Sequence, residues 1–186
     1  MERTLLRCRA CGYIIDQDKL KDVCPACGLP KTVFELYKEN ISRKRGLILN
    51  LHMHPIAVHF PQAFVVVLIP LILLGIFLGQ IYGRDMLITA RVLSLLLPFF
   101  SLLAVLTGLI DARVRFRKLN TPALKIKTIS ASLFFLLSCL IAAIVFLYGL
   151  ETNAATAVMV LLILCVGCQL VLGHIGAKLL GARLGG

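Results

Sequence analysis

The chain has no glycine loop that could cradle a phosphate, no hydrolytic triad and no pair of carboxylates placed for acid–base work. Nucleotide-driven and hydrolytic chemistry therefore lack their usual parts. Acidic side chains are scarce: nine Asp and Glu stand against 20 Lys and Arg, and only three of the nine lie beyond residue 40. No internal repeat is visible. The first ~45 residues contain no apolar core of the kind a secretion signal needs, so none is expected. The cysteine count is seven, an odd number that does not suit a paired disulfide framework and favours a reducing compartment.

Apolar sequence dominates instead. Hydrophobic residues make up 59% of the chain, which is the composition of a polytopic membrane protein. Four stretches are long enough to span a bilayer, at ~56–79, ~87–110, ~127–149 and ~155–176. They predict a membrane all-α four-helix transmembrane bundle with a small N-terminal β domain. Short loops are expected at Gly83-Arg84-Asp85 and Glu151-Thr152-Asn153. Gly75, Gly79, Gly108, Gly167 and Gly173 would permit close helix approach. The domain reading is 1–40 for the cysteine domain, 41–54 for a basic interfacial junction and 55–186 for the transmembrane domain.

The net charge of +11 belongs almost wholly to the membrane part. Arg43-Lys44-Arg45 precedes the first span, and Arg113, Arg115, Arg117, Lys118, Lys125 and Lys127 are expected in the middle loop. This placement marks topology and phospholipid contact rather than nucleic acid. By the positive-inside rule both regions are cytoplasmic. Four spans then put both termini on the cytoplasmic face of a bacterial inner membrane. The spans hold few charges and no clear pair of broken helices, which weighs against solute transport.

Four cysteines form two knuckles, Cys8-x2-Cys11-Gly12-Tyr13 and Cys24-Pro25-x-Cys27-Gly28. Four thiolates at this spacing make a tetrahedral S4 site that suits iron or zinc. About 35 residues cannot build an adequate core alone, so the metal is expected to supply much of the folding free energy. The run Cys8-Arg-Ala-Cys11-Gly12-Tyr13 … Cys24-Pro25-Ala-Cys27-Gly28-Leu-Pro30-Lys31-x-x-Phe34 resembles a rubredoxin-type domain, nearest to the short form at the end of rubrerythrins. The resemblance implies a one-electron Fe(Cys)4 centre on a three-stranded sheet, with Tyr13 and Phe34 near the site. The chain departs from full-length rubredoxins in having no Trp and a short segment between knuckles, which fits the fused form rather than a stand-alone carrier.

Histidines number four: His52, His54, His59 and His174. His59 opens the first span and His174 closes the fourth, so in an antiparallel bundle they lie at similar depth on the cytoplasmic side. Two facing histidines can ligate a haem axially, and small residues flank both. His54, Arg91 and Asp111 are secondary cofactor-binding candidates: Asp111 could orient a histidine ring or pair with Arg113 or Arg115, and Arg91 could meet a haem propionate or a quinone oxygen or snorkel to the interface. Cys165-Val-Gly-Cys168 reads as helix packing. A second resemblance appears here. His54-Pro55-Ile-Ala-Val58-His59-Phe60-Pro61 is similar to the HPxxVHFP signature of a bacterial membrane domain family of unknown function with four predicted spans. Gly108-Leu-Ile-Asp111 and Gly173-His174-Ile-Gly176 resemble its other marks. That family commonly has a His opening the third span, which Thr121–Thr128 lacks.

Together these features predict a membrane-bound electron-transfer protein, a carrier or redox subunit rather than a stand-alone enzyme. Its cytoplasmic Fe(Cys)4 centre would exchange electrons with a soluble redox partner, and a b-type haem on His59 and His174 would connect it to quinone in the membrane. The protein could be a homodimer or a subunit of a redox complex. The alternative is a non-redox membrane subunit whose zinc ribbon docks a cytoplasmic partner.

Overall fold

The computed structural model describes residues 4–38, 46–47, 51–115, 121–150 and 152–181. The chain divides into two compact units with the border between residues 43 and 44.

The N-terminal unit is a three-stranded antiparallel sheet: β1 (Leu5–Cys8), β2 (Ile14–Asp16) and β3 (Phe34–Tyr37), in the order β2-β1-β3. In the register of the sheet Leu6 of β1 lies opposite Ile15 on one side and Leu36 on the other. Two 3-10 turns, Gln17–Lys19 and Lys31–Val33, carry the chain around the end of the sheet. Exposed ion pairs Arg9–Glu35 (3.1 Å) and Asp16–Lys19 (3.3 Å) decorate it and contribute little. Among the described residues of this unit, only Cys8 and Cys24 are fully buried. The unit therefore has no hydrocarbon core of its own, and its centre is the cysteine cluster.

The second unit is four long helices: α1 (Met53–Phe77), α2 (Gly79–Arg115), α3 (Pro122–Tyr148) and α4 (Thr152–Gly181). Each exceeds the ~20 residues needed to cross hydrocarbon, with mean hydropathy of 2.3 to 2.6 over the spanning segments. Only 22% to 28% of each most apolar window is buried within the protein. A water-soluble bundle could not leave that much apolar surface uncovered, so the outer faces are lipid-facing and the chain is a multi-pass membrane protein. The helices pack in sequence, and α4 returns against α1. One stripe per helix meets in the core, led by Val65, Leu68 and Ile72 on α1, Leu97 on α2, Ile141 and Val145 on α3, and Val158, Leu162 and Cys165 on α4.

Polar groups join the helices at chosen depths. Ser101 of α2 and Ser138 of α3 share a 2.9 Å hydrogen bond in the buried core. The Gln169 side-chain amide of α4 donates to the Pro61 carbonyl of α1 at 3.1 Å. Gly75 and Gly83 mark a close crossing of α1 and α2: a Cβ on Gly83 would collide with the Gly75 carbonyl oxygen. Gly108 likewise has a close neighbour, whereas Gly167 and Gly173 have nothing within 4 Å of an added Cβ and bring no helix close.

Several boundaries differ from those expected, and α4 begins at Thr152, so that Thr152 and Asn153 are helical rather than loop residues. Gly83-Arg84-Asp85 is not a loop but lies within α2, because Gly83 is needed at the crossing and the turn is made around Leu78. α3 begins a turn early, at Pro122, since Thr121 caps it by accepting the Leu124 N–H and proline suits the first helical position. Lys125 and Lys127 are therefore helical, not loop residues, as are Arg113 and Arg115 in the last turn of α2. α1 begins at Met53, two residues before Pro55, with His52 in the left-handed region (φ 49°) ahead of it. Most of the 41–54 junction, residues 116–120 of the middle loop, and Glu151 lie outside the described residues.

Candidate metal centre

The two cysteine knuckles are built alike. In the first, the Cys8 N–H donates to the Tyr13 carbonyl (2.8 Å) and the Gly12 N–H to the Cys8 carbonyl (2.8 Å). In the second, the Cys24 N–H donates to the Leu29 carbonyl (2.7 Å) and the Gly28 N–H to the Cys24 carbonyl (2.9 Å). Closing each turn requires a positive φ, which Gly12 (73°) and Gly28 (74°) supply without strain. The sheet then sets one knuckle against the other: Phe34 lies opposite Cys8 across β1 and β3, the Arg9 N–H donates to the Val33 carbonyl (3.0 Å), and Val23 bridges to Pro30.

The result is a closed set of four sulfurs. Cys8 Sγ and Cys27 Sγ are 3.8 Å apart, Cys11 Sγ and Cys24 Sγ 3.7 Å, and all four lie within 4.8 Å of one another. A tetrahedral ion with metal–sulfur bonds of ~2.3 Å requires sulfur–sulfur edges of about 3.8 Å, which the Cys8–Cys27 and Cys11–Cys24 pairs match, and all four donors are close enough to share one zinc or iron ion. Cys8 and Cys24 are buried, while Cys11 and Cys27 are exposed. Each knuckle thus contributes one inner and one outer ligand.

The second knuckle is electrostatically uneven. At Cys24, desolvation favours the thiol, but the amides of Cys27 and Ala26 and the thiols of Cys27 and Cys11 favour the thiolate and bring the pKa down to about 7. At Cys27, the Leu29 amide favours the thiolate. Desolvation and the crowding of Cys24, Cys11 and Cys8 outweigh it and push the pKa up to about 12. Four sulfurs this close cannot all ionise without a cation among them.

This is the architecture of a small thiolate-metal domain. Its residues 7–35 match the family model of the rubrerythrin, rubredoxin-like domain. No curated protein and no solved structure matches the chain. With the four apolar helices, the cluster makes this a membrane metal-binding protein with a rubredoxin-like domain.

The histidines are distributed differently from the expected pair. His59 is exposed on α1, two residues from buried Ala57 and from buried Pro61, and so on the side of the helix turned away from the core stripe. His174 is exposed on α4, and the space beside Gly173 and Gly176 is open. The packed interior does not receive either imidazole. His54 is the half-buried one. Its ring lies over Gly108 of α2, where an added Cβ would come within 2.8 Å of Cε1, and Nδ1 is 3.2 Å from the Ala104 carbonyl oxygen. Asp111 lines the same small cleft as His54, with Met53, Thr107 and Ile110. Arg91 is exposed on α2. Cys165 and Cys168 are buried in the helix core.

The seat made by Ala104, Thr107 and Gly108 was missed in the sequence. The signal was present: Ala104, Gly108 and Asp111 are spaced four and three apart, on one face of α2.

Proposed function

We propose that this protein is a membrane-anchored one-electron carrier. Cys8, Cys11, Cys24 and Cys27 hold iron, and the four helices keep that centre at the membrane. The observation that carries the proposal is the closed four-sulfur cluster within a rubredoxin-like domain, on the same chain as four lipid-facing helices. Iron in such a set supplies one-electron redox chemistry without gaining or losing ligands. The chain's own contribution is to hold the sulfurs at tetrahedral spacing, to lower the cost of thiolate charge through knuckle amides, and to leave Cys11 and Cys27 at the surface. Those two sulfurs form the edge that a soluble redox partner approaches.

The proposal extends to a cytoplasmic placement of both termini and to redox exchange with quinone in a bacterial inner membrane. Arg113, Lys125 and Lys127, at the end where α2 closes and α3 opens, support that orientation. It also retains a b-type haem on His59 and His174. Both imidazoles are accessible and the backbone beside His174 is unobstructed. Both face outward, so His59 and His174 would hold such a haem at the outer surface of the bundle rather than in its packed interior.

The test is a redox titration of the full-length, iron-loaded protein in nanodiscs. A single one-electron wave in the thiolate-to-iron bands supports the carrier. Separate haem bands that vanish in His59→Ala and His174→Ala, with the helices still folded, support the haem. Stable protein that retains only zinc after iron supplementation overturns the carrier and leaves a docking subunit.

A further inference from the structure

Arg7 is the one cation among the described residues of the N-terminal unit that is not exposed. It is half-buried on β1, the middle strand, between Ile14 of β2 and Glu35 of β3. Its Nε is buried and has no hydrogen-bond partner. Glu35 stands opposite it in the register, yet the Glu35 carboxylate accepts from Arg9 Nε at 3.1 Å. The other ion pair among the described residues of this unit, Asp16–Lys19, does not include Arg7 either. A guanidinium is thus held partly out of water with no carboxylate against it. Such a group costs stability unless something nearby rewards its charge. A neutral side chain with the same apolar stem would fill the place at less cost.

What lies nearby is Cys8. The two residues are adjacent on β1, with Cα atoms about 3.8 Å apart, and their side chains leave opposite faces of the strand. Cys8 is 0% exposed and belongs to the four-sulfur cluster. Little water lies between the two groups, so their interaction is weakly screened. The sulfurs gather negative charge when they hold a metal. Four thiolates leave one net negative charge around a ferric ion and two around a ferrous or zinc ion, whereas the metal-free site keeps protons. A fixed positive charge behind Cys8 therefore favours reduced over oxidised iron, and the loaded over the empty site. At an effective dielectric constant of ~20–40, a unit charge on the order of 10 Å away changes a one-electron equilibrium about four- to sixteen-fold. The exposed cations Lys21, Lys31 and Lys38 are screened by water and salt and act less.

We propose that Arg7 tunes the four-cysteine site, raising the reduction potential of bound iron and the affinity of the sulfurs for metal through an uncompensated charge behind Cys8. The effect on potential rests on the carrier reading above; the effect on metal affinity does not. Arg7 holds no metal itself and acts only through the field at the sulfurs.

The test uses full-length protein in nanodiscs of zwitterionic lipid, loaded in turn with iron and with zinc. The iron midpoint potential is read from the thiolate-to-iron bands in a mediated titration, and zinc affinity by competition with a chromogenic chelator. Arg7→Met keeps the apolar stem and removes the charge; Arg7→Gln removes the charge with a different side chain. Each should shift the iron equilibrium toward the oxidised state by at least about threefold, a fall of about 28 mV at 59 mV per tenfold for one electron. Each should weaken zinc by at least about threefold as well. Arg7→Lys, which keeps the charge, should show less than half of either effect. Lys21→Met removes an exposed cation from the same unit and should change neither by more than about 1.5-fold. Size-exclusion profiles and protease resistance of residues 1–43 confirm that each variant is folded. Unchanged potential and zinc affinity in folded Arg7→Met and Arg7→Gln overturn the proposal. An equal loss in Arg7→Lys, the mark of a packing role, or in Lys21→Met, the mark of net charge alone, overturns it too. Protein that takes up no iron, yet loses zinc affinity in Arg7→Met and Arg7→Gln as stated, removes the carrier reading and leaves this charge in its role.

Discussion

Replacing Gly108 with Ala adds a single methyl group, and the structure says what that methyl strikes. It would sit 2.8 Å from His54 Cε1 and 3.0 Å from Nδ1, about 0.6 Å inside ordinary contact at the nearer atom. The backbone of α2 is held on both sides of this point, so the ring must swing away. That movement breaks the 3.2 Å bond from Nδ1 to the Ala104 carbonyl. Losing the bond costs about 0.5–1.5 kcal/mol, and residual overpacking adds about 1–3 kcal/mol. Ala is a better helix former than Gly by about 1 kcal/mol, which offsets part of this. A net loss of about 1–2 kcal/mol is expected, measured by thermal unfolding in detergent. Removing the obstacle should rescue it: in a His54→Ala background, Gly108→Ala should be neutral or stabilising. The coupling in that double-mutant cycle should therefore reach at least about 1 kcal/mol. Equal destabilisation with and without the imidazole would refute the packing of His54 on Gly108.

Substitution of Cys8 or Cys24 by Ser should abolish metal binding and unfold the N-terminal unit, because these two sulfurs are its only fully buried side chains among the described residues. The loss is measured as metal per chain and as protease resistance of residues 1–43, and the helices should remain folded. Metal affinity should rise with pH. With Cys27 pushed up to about 12, the metal-free site still carries that proton above pH 7, and binding must expel it. Competition with a chelator should show affinity climbing at least about tenfold per pH unit between pH 7 and 9. Ser101→Ala should destabilise the bundle by about 0.6–2 kcal/mol through loss of its bond to Ser138, with Ser138→Ala adding little once the first change is made.

The cysteine domain was legible because its chemistry is local. Two Cys-x-x-Cys-Gly turns specify both the ligands and the positive φ that closes each knuckle, and little else in the unit needs to be known. The four helices were legible because length and hydropathy suffice to predict a span. Which way each helix faces was not legible, for a physical reason. In a bilayer the lipid-facing side is as apolar as the core, so the periodicity that orients a soluble helix is lost. The expectation that His59 faces His174 rests on their shared depth and on the small residues beside each, yet Ala57, Pro61, Val65, Leu68 and Ile72 form the inward stripe and leave His59 outside. His54 was undervalued because its partner is the absence of a side chain at Gly108, 54 residues away. Gly83-Arg84-Asp85 looked like a loop because glycine and charges usually are one, whereas here glycine serves a helix crossing.

The carrier reading rests most directly on which metal the four sulfurs hold and whether it changes oxidation state. The deciding measurement is an anaerobic ultraviolet–visible spectrum of the full-length, detergent-purified protein, oxidised and then dithionite-reduced, with iron and zinc quantified on the same sample. One iron per chain with broad thiolate-to-iron bands that bleach on reduction is the predicted result. A featureless spectrum with one zinc per chain, unchanged when the protein is produced in iron-supplemented medium, would contradict it.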